Sequence, residues 1–150
     1  MTCANTRVVI TRRTIKQHVS TGRQGPAGGG GQQGSTFARL AGTPLSALVV
    51  VWENVDGEVQ PLDYRDADHI DLLAGITTTA APTIGSAVQV QLSGVLNISG
   101  LGLSPGPVWL GANGTLTQTP PEDGFDVLVG RVVNDQRLYL SFTERIYLED

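Results

Sequence analysis

Glycine falls at positions 22, 25, 28, 31 and 34, so the stretch parses as Gly-Arg-Gln, Gly-Pro-Ala, Gly-Gly-Gly, Gly-Gln-Gln and Gly-Ser-Thr, all in one phase. In a triple helix three extended chains wind about an axis too crowded for any side chain larger than hydrogen, and that demands glycine at every third place. Read this way, residues 22–36 form a short collagen-like Gly-X-Y stem with Gly22, Gly25, Gly28, Gly31 and Gly34 at the axis. The implied partner is two further copies of the chain, a homotrimer. The alternative is a flexible glycine-rich linker, which needs no phase. Seven glycines crowd residues 22–34, so some in-phase matches arise from composition alone. On either reading the chain divides into an arm, residues 1–21, the stem or linker, and a domain over residues 37–150.

Charge follows the same division. Arg7, Arg12, Arg13, Lys16 and Arg23 precede residue 35 with no acid among them, whereas every Asp and Glu lies at or after Glu53. The net charge of −4 is therefore +5 ahead of residue 35 and −9 behind it. A basic arm suits nucleic acid, an acidic protein surface or a membrane surface. Nucleic acid is disfavoured here, because five cations without one aromatic side chain offer no stacking platform. No apolar run approaches the ~20 residues of a membrane span. The first twenty residues carry charge throughout and show no apolar core of a secretory signal, so the expectation is synthesis and assembly in a cytoplasm. The single cysteine, Cys3, excludes an intrachain disulfide.

Within the arm, Arg7, Val8, Val9, Ile10 and Thr11 alternate and are rich in β-branched side chains, which favours a strand. Arg12, Arg13, Ile15 and Lys16 continue it as a polar run. A lone short strand has no sheet to join, so the expectation is an arm that docks on another protein by strand addition. The alternative is an unstructured terminus.

Beyond residue 36 the pattern becomes short strands separated by turn signals. Residues 37–40 make a weak strand. Residues 47–52, Ala-Leu-Val-Val-Val-Trp, make a strong one, apolar on both faces and so buried on both. Asn54 to Gly57 supplies a turn. Residues 58–64 return as its partner, with Pro61 pointing to a sheet edge or a bulge. Residues 87–93 alternate with Val88, Val90 and Leu92 on one face, and Val95, Leu96 and Ile98 follow. Residues 107–110 run into Asn113-Gly114, a two-residue hairpin signal, and out through Thr115, Leu116 and Thr117. A last hairpin joins Val127, Val129 and Val133 to Leu138, Leu140 and Phe142 across Asn134-Asp135, and residues 146–148 add a closing strand. Sustained helical spacing is absent after residue 35. The expectation is an all-β fold, a small antiparallel barrel or sandwich.

Chemistry-bearing clusters are sparse. The only histidines are His18 and His69, so no Ser/His/Asp or Cys/His constellation can be assembled and no catalytic residue is assigned. Asp63, Asp66, Asp68 and Asp71 gather oxygens that could hold calcium, yet the stretch lacks the glycine and terminal glutamate of an EF-hand loop. A solvated polar loop is the favoured reading, and no metal or cofactor is implied. Trp52 and Trp109 could stack on sugar rings, but both sit inside apolar runs where core packing is favoured.

A basic arm, a Gly-X-Y stem such as Gly25-Pro26-Ala27, and a glycine-punctuated β-domain together resemble the trimeric structural proteins of tailed bacteriophages. The likeness lies in Leu73-Ala74-Gly75-Ile76-Thr77, in residues 85–94, in Val108-Trp109-Leu110-Gly111-Ala112-Asn113-Gly114-Thr115-Leu116-Thr117, and in Val129-Gly130-Arg131-Val132-Val133. It covers roughly residues 70–143 and is similar to tail-fibre, tail-tip, head-fibre and decoration proteins. The resemblance implies a virion component that is not an enzyme, attached through its arm to tail or capsid proteins, with the β-domain projecting outward and a host surface glycan as a further partner. A carbohydrate-binding receptor module is the alternative of another class, and a depolymerase, which needs paired carboxylates, is the third.

Overall fold

The computed structural model describes residues 34–149. The arm residues Arg7, Val8, Val9, Ile10, Arg12, Arg13, Ile15 and Lys16, and the stem glycines Gly22, Gly25, Gly28 and Gly31, lie outside the described residues.

The first strand, β1 (Thr36–Ala41), is followed by β2 (Val50–Glu53), β3 (Glu58–Pro61), β4 (Leu73–Thr77) and β5 (Ala87–Gln91). These five close into a barrel in the order β1-β3-β2-β4-β5. Closure runs through β1, which pairs antiparallel with β5 from Thr36↔Gln91 to Leu40↔Ala87 and parallel with β3 at Leu40↔Glu58 and Ala41↔Val59. The barrel is thus not wholly antiparallel as expected. Its interior is filled by Ala41, Val51, Val59, Ala74, Val88 and Val90. Five strands enclose a narrow lumen, which suits valine and alanine better than larger side chains.

The remaining strands, β6 (Ser93–Asn97), β7 (Gly106–Leu110), β8 (Leu116–Thr117), β9 (Gly124–Asp126), β10 (Leu128–Asn134), β11 (Arg137–Ser141) and β12 (Ile146–Leu148), form two further sheets. One has the order β6-β11-β10-β7-β8, and β9 pairs with β12 as a two-stranded ribbon. The larger apolar core unites Val50, Leu62, Ile70 and Ile76 with Leu96, Val108, Leu110, Val129, Leu138 and Leu140 of the second sheet. Strand β2 therefore sends Val51 into the barrel and Val50 into this second core, both fully buried. The expectation that its run is buried on both faces holds at these two residues. The all-β expectation holds as well: among the described residues the only helical pieces are one-turn 3-10 segments, Ile70–Leu72 and Ala112–Gly114. Neither is long or apolar enough to cross a membrane.

Several strand boundaries differ from those read in the sequence. Strand β2 begins only at Val50, because Leu48 stands at φ 65°. The buried Thr77 fixes that kink, its carbonyl accepting from the Leu48 amide at 2.8 Å and its hydroxyl from the Val49 amide at 2.9 Å. Pro61 sits at the end of β3 opposite Val51 and beyond Val59, the last β3 residue paired with β1, so it is paired on one side only, as the edge reading expects. The alternation of β5 stops at Gln91, which is buried while Leu92 is exposed, because Gln91 turns inward to donate to the carbonyls of Ser93 (3.0 Å) and Val95 (3.1 Å). In β10 a register shift against β7 between Leu128 and Gly130 changes the face along the strand, so that Val132 is buried and Val133 exposed, the reverse of the expected face. Trp109 is half-buried and alternates against the buried Val108 and Leu110, so it lies on the other face of β7 and does not belong to the core as expected.

The start of the domain also moves. Gly34 has φ +131°, and a Cβ there would lie 1.8 Å from the Ser93 carbonyl oxygen. Ser35 donates its amide to Ser93 Oγ at 3.2 Å and accepts from the Leu92 amide at 2.9 Å. Residues 34–36, expected in the stem, are built into the β-domain, and the fifth in-phase glycine is required by this close approach.

Candidate functional site

Three segments far apart in the chain converge where β3 leaves the barrel. Leu62, fully buried, donates its amide to the Val50 carbonyl at 2.9 Å and so ends the strand against β2. Asp63 follows with one carboxylate oxygen accepting the Arg65 amide at 2.9 Å, a local Asx turn. Its other oxygen reaches across to accept the Asn113 amide at 2.9 Å.

That second bond holds the β7–β8 connection in a demanding conformation. Asn113 and Gly114 both take positive φ, 52° and 77°, as the Asn-Gly signal predicts. The connection is nevertheless longer than the expected two-residue hairpin, since the last paired residues are Leu110 and Leu116. Gly111 donates to the Thr115 carbonyl at 2.8 Å, and Thr115 returns its amide (3.1 Å) and its hydroxyl (2.7 Å) to the Ala112 carbonyl. A side chain at Gly114 would come within 2.4 Å of the Val50 carbonyl oxygen. The turn is therefore packed tightly onto β2 and leaves its outer rim to solvent.

The third segment is the loop into β9. The Phe125 amide donates to the Tyr64 carbonyl at 2.8 Å. Arg65 grips Asp123 with Nε (3.1 Å) and Nη2 (2.9 Å), and its guanidinium lies over the Tyr64 ring, 4.7 Å from the centroid. Burial pushes the Tyr64 phenol above its usual value; Arg65 pulls it down, while Asp123 pushes it up. The Asp123 hydrogen bonds raise Arg65 above its ordinary value, so this cation is committed to its partner.

Between these segments lies a cleft of about 350 Å³, lined by Tyr64, Gly111, Thr115, Thr117, Thr119 and Pro121 among others. No carboxylate and no cation lines it. A second cluster stands at the one-turn helix: Trp52 stacks on His69, whose Nδ1 lies 2.8 Å from Asp66 Oδ2. The Asp66 carboxylate also accepts the amides of Asp68 and His69, both at 3.2 Å. The acidic stretch read as calcium oxygens or a solvated loop is thus a chain of turn-forming bonds. No group of three or more His, Cys, Asp or Glu among the described residues is placed to hold a metal ion.

The sequence brought Asp63 and Asn113 to notice separately, as a loop carboxylate and a hairpin signal, and the structure joins them. Tyr64 and the threonines of the cleft went unremarked as site residues, since no short-range pattern links residue 64 to residues 115–121. No protein-family model matches this chain, and no curated protein matches it either.

Proposed function

We propose that the chain is a non-enzymatic structural component of a bacteriophage particle: a homotrimeric appendage of tail-fibre or tail-tip type, anchored by residues 1–21, held in register by a Gly-X-Y stem, with the β-domain outward. The observation that carries this reading is how the chain joins the domain. Ser35 bonds to Leu92 and Ser93, Gly34 packs closely on Ser93, and β1 at once closes the barrel, hydrogen-bonded on both sides. A tethered domain needs this, because its spacer then leads directly into an interlocked strand. The segregation of +5 charges ahead of residue 35 from −9 behind it supports the same division of labour, a basic arm to dock and an acidic body to project. Three weak arms on one body bind far more tightly than one when all engage together.

A capsid decoration or head-fibre protein is the alternative within this class, differing only in where the arm docks. A carbohydrate-binding module is the alternative of another class, favoured by the uncharged cleft at Tyr64.

Deleting residues 2–21 tests the leading reading. The truncated protein is expected to fold, to remain trimeric by mass measurement in solution, and to be missing from purified particles. Normal copy number in particles overturns the anchor assignment, and a monomer at micromolar concentration overturns the trimer.

A further inference from the structure

We propose that the cleft between Tyr64 and the β7–β8 turn is a binding site for a neutral, polyhydroxylated ring, a saccharide unit. This deepens the outward-contact part of the proposed function and rests on it only for where such a ligand comes from.

The chemistry of the lining selects the ligand class. Thr115 Oγ1 donates to the Ala112 carbonyl at 2.7 Å and Thr117 Oγ1 to the Thr119 carbonyl at 3.3 Å. Thr117 Oγ1 also accepts the Thr119 amide at 3.1 Å, so each hydroxyl has spent its one proton within the turn and keeps at least one lone pair. A ligand that satisfies such a rim must bring O–H donors. An anion finds no free cation, since the nearby Arg65 is held by Asp123 at 2.9 Å. A metal ion finds no carboxylate in the lining, the neighbouring Asp63 being engaged by the amides of Arg65 and Asn113. Tyr64 and Pro121 add apolar surface to the same cleft, which matches the C–H face of a sugar ring. A cleft of about 350 Å³ lies at the small end of the ~300–1,000 Å³ range of ligand sites.

The site is also formed in advance. Asn113 is held at positive φ by Asp63, Gly114 has no room for a side chain against Val50, and the Tyr64 carbonyl is tied to Phe125. A rim fixed from three directions loses little conformational freedom on binding, which favours a weak polar ligand.

The test is amide-shift mapping of the full chain titrated with methyl glycosides of glucose, galactose, rhamnose and N-acetylglucosamine, each to tens of millimolar, with inorganic phosphate as the charged control. At least one glycoside is expected to move the resonances of Tyr64, Gly111 and residues 115–119 together. The double variant Thr117→Ala, Thr119→Ala is expected to bind about tenfold more weakly, the loss of roughly two hydrogen bonds. Val55→Thr, at an exposed position that does not line the cleft, is expected to retain binding, and unchanged amide dispersion away from the cleft checks that the double variant is folded. No shift with any glycoside, shifts mapped elsewhere, or a response to phosphate alone overturns the site. Particle incorporation by the Thr117→Ala, Thr119→Ala variant is unaffected by the cleft, so failure here is distinguishable from failure of the anchor assignment.

Discussion

Trp52 and His69 stack ring on ring, with centroids 3.7 Å apart and planes inclined by 14°. Asp66 holds the imidazole from its edge at 2.8 Å through Nδ1. The imidazole thereby covers one face of the indole, and the carboxylate fixes the ring that covers it. His69→Ala is expected to uncover that face and move Trp52 emission, read in a Trp109→Phe background, to longer wavelength, and Asp66→Ala is expected to do so in part. Unchanged Trp52 emission in His69→Ala contradicts the stack.

Gln91 is the hinge pin between barrel and second sheet, paired with Thr36 and Ile76 while its side chain donates to Ser93 and Val95. Gln91→Leu keeps the volume but strips both donors, with an expected loss of about 2 kcal/mol in urea unfolding. Gln89→Leu, on the exposed side of the same strand, is expected to stay within about 0.5 kcal/mol.

The β7–β8 turn separates backbone strain from steric exclusion. Gly114→Ala meets both, with φ 77° and a Cβ 2.4 Å from the Val50 oxygen. An expected cost of about 3 kcal/mol follows. Asn113→Ala meets strain alone and is expected to cost about 1 kcal/mol, whereas Asn113→Gly is expected to be near neutral. Equal losses at the two positions contradict the packing of Gly114 on β2.

Tyr64 is expected to ionise at higher pH than free tyrosine, followed by phenolate absorbance. Asp123→Asn removes a neighbour that raises it and is expected to move the transition down; Arg65→Gln removes one that lowers it and is expected to move it up. The folded phenol holds its proton more tightly than the unfolded one. Its contribution to stability is therefore fully present below the ordinary tyrosine value and is lost as pH rises through the folded one.

The legible parts of this fold are those governed by near neighbours. Val88 and Val90 alternate, Val50 and Val51 are apolar together, and Asn113-Gly114 adopts positive φ, because each depends on residues within a few positions. The parts that escaped depend on distant partners. Thr77 bends the chain at Leu48, Gln91 inverts the face of Leu92, and Ser93 claims Gly34 out of a run whose phase pointed elsewhere. The cleft is a case of the same kind: an aromatic at residue 64 and hydroxyls near residue 117 are neighbours only after Asp63 has crossed to Asn113.

Strand β1 has a consequence for how the domain bears a load. It lies between β5, with five register pairs, and β3, with two, and its first residues carry whatever is attached ahead of Gly34. Tension applied along the strand from that end pulls the ladders on both sides in shear, so the bonds share the load and none is peeled first. Rupture must then open the barrel as a whole, and the lifetime of the domain under tension is set by its global unfolding rate.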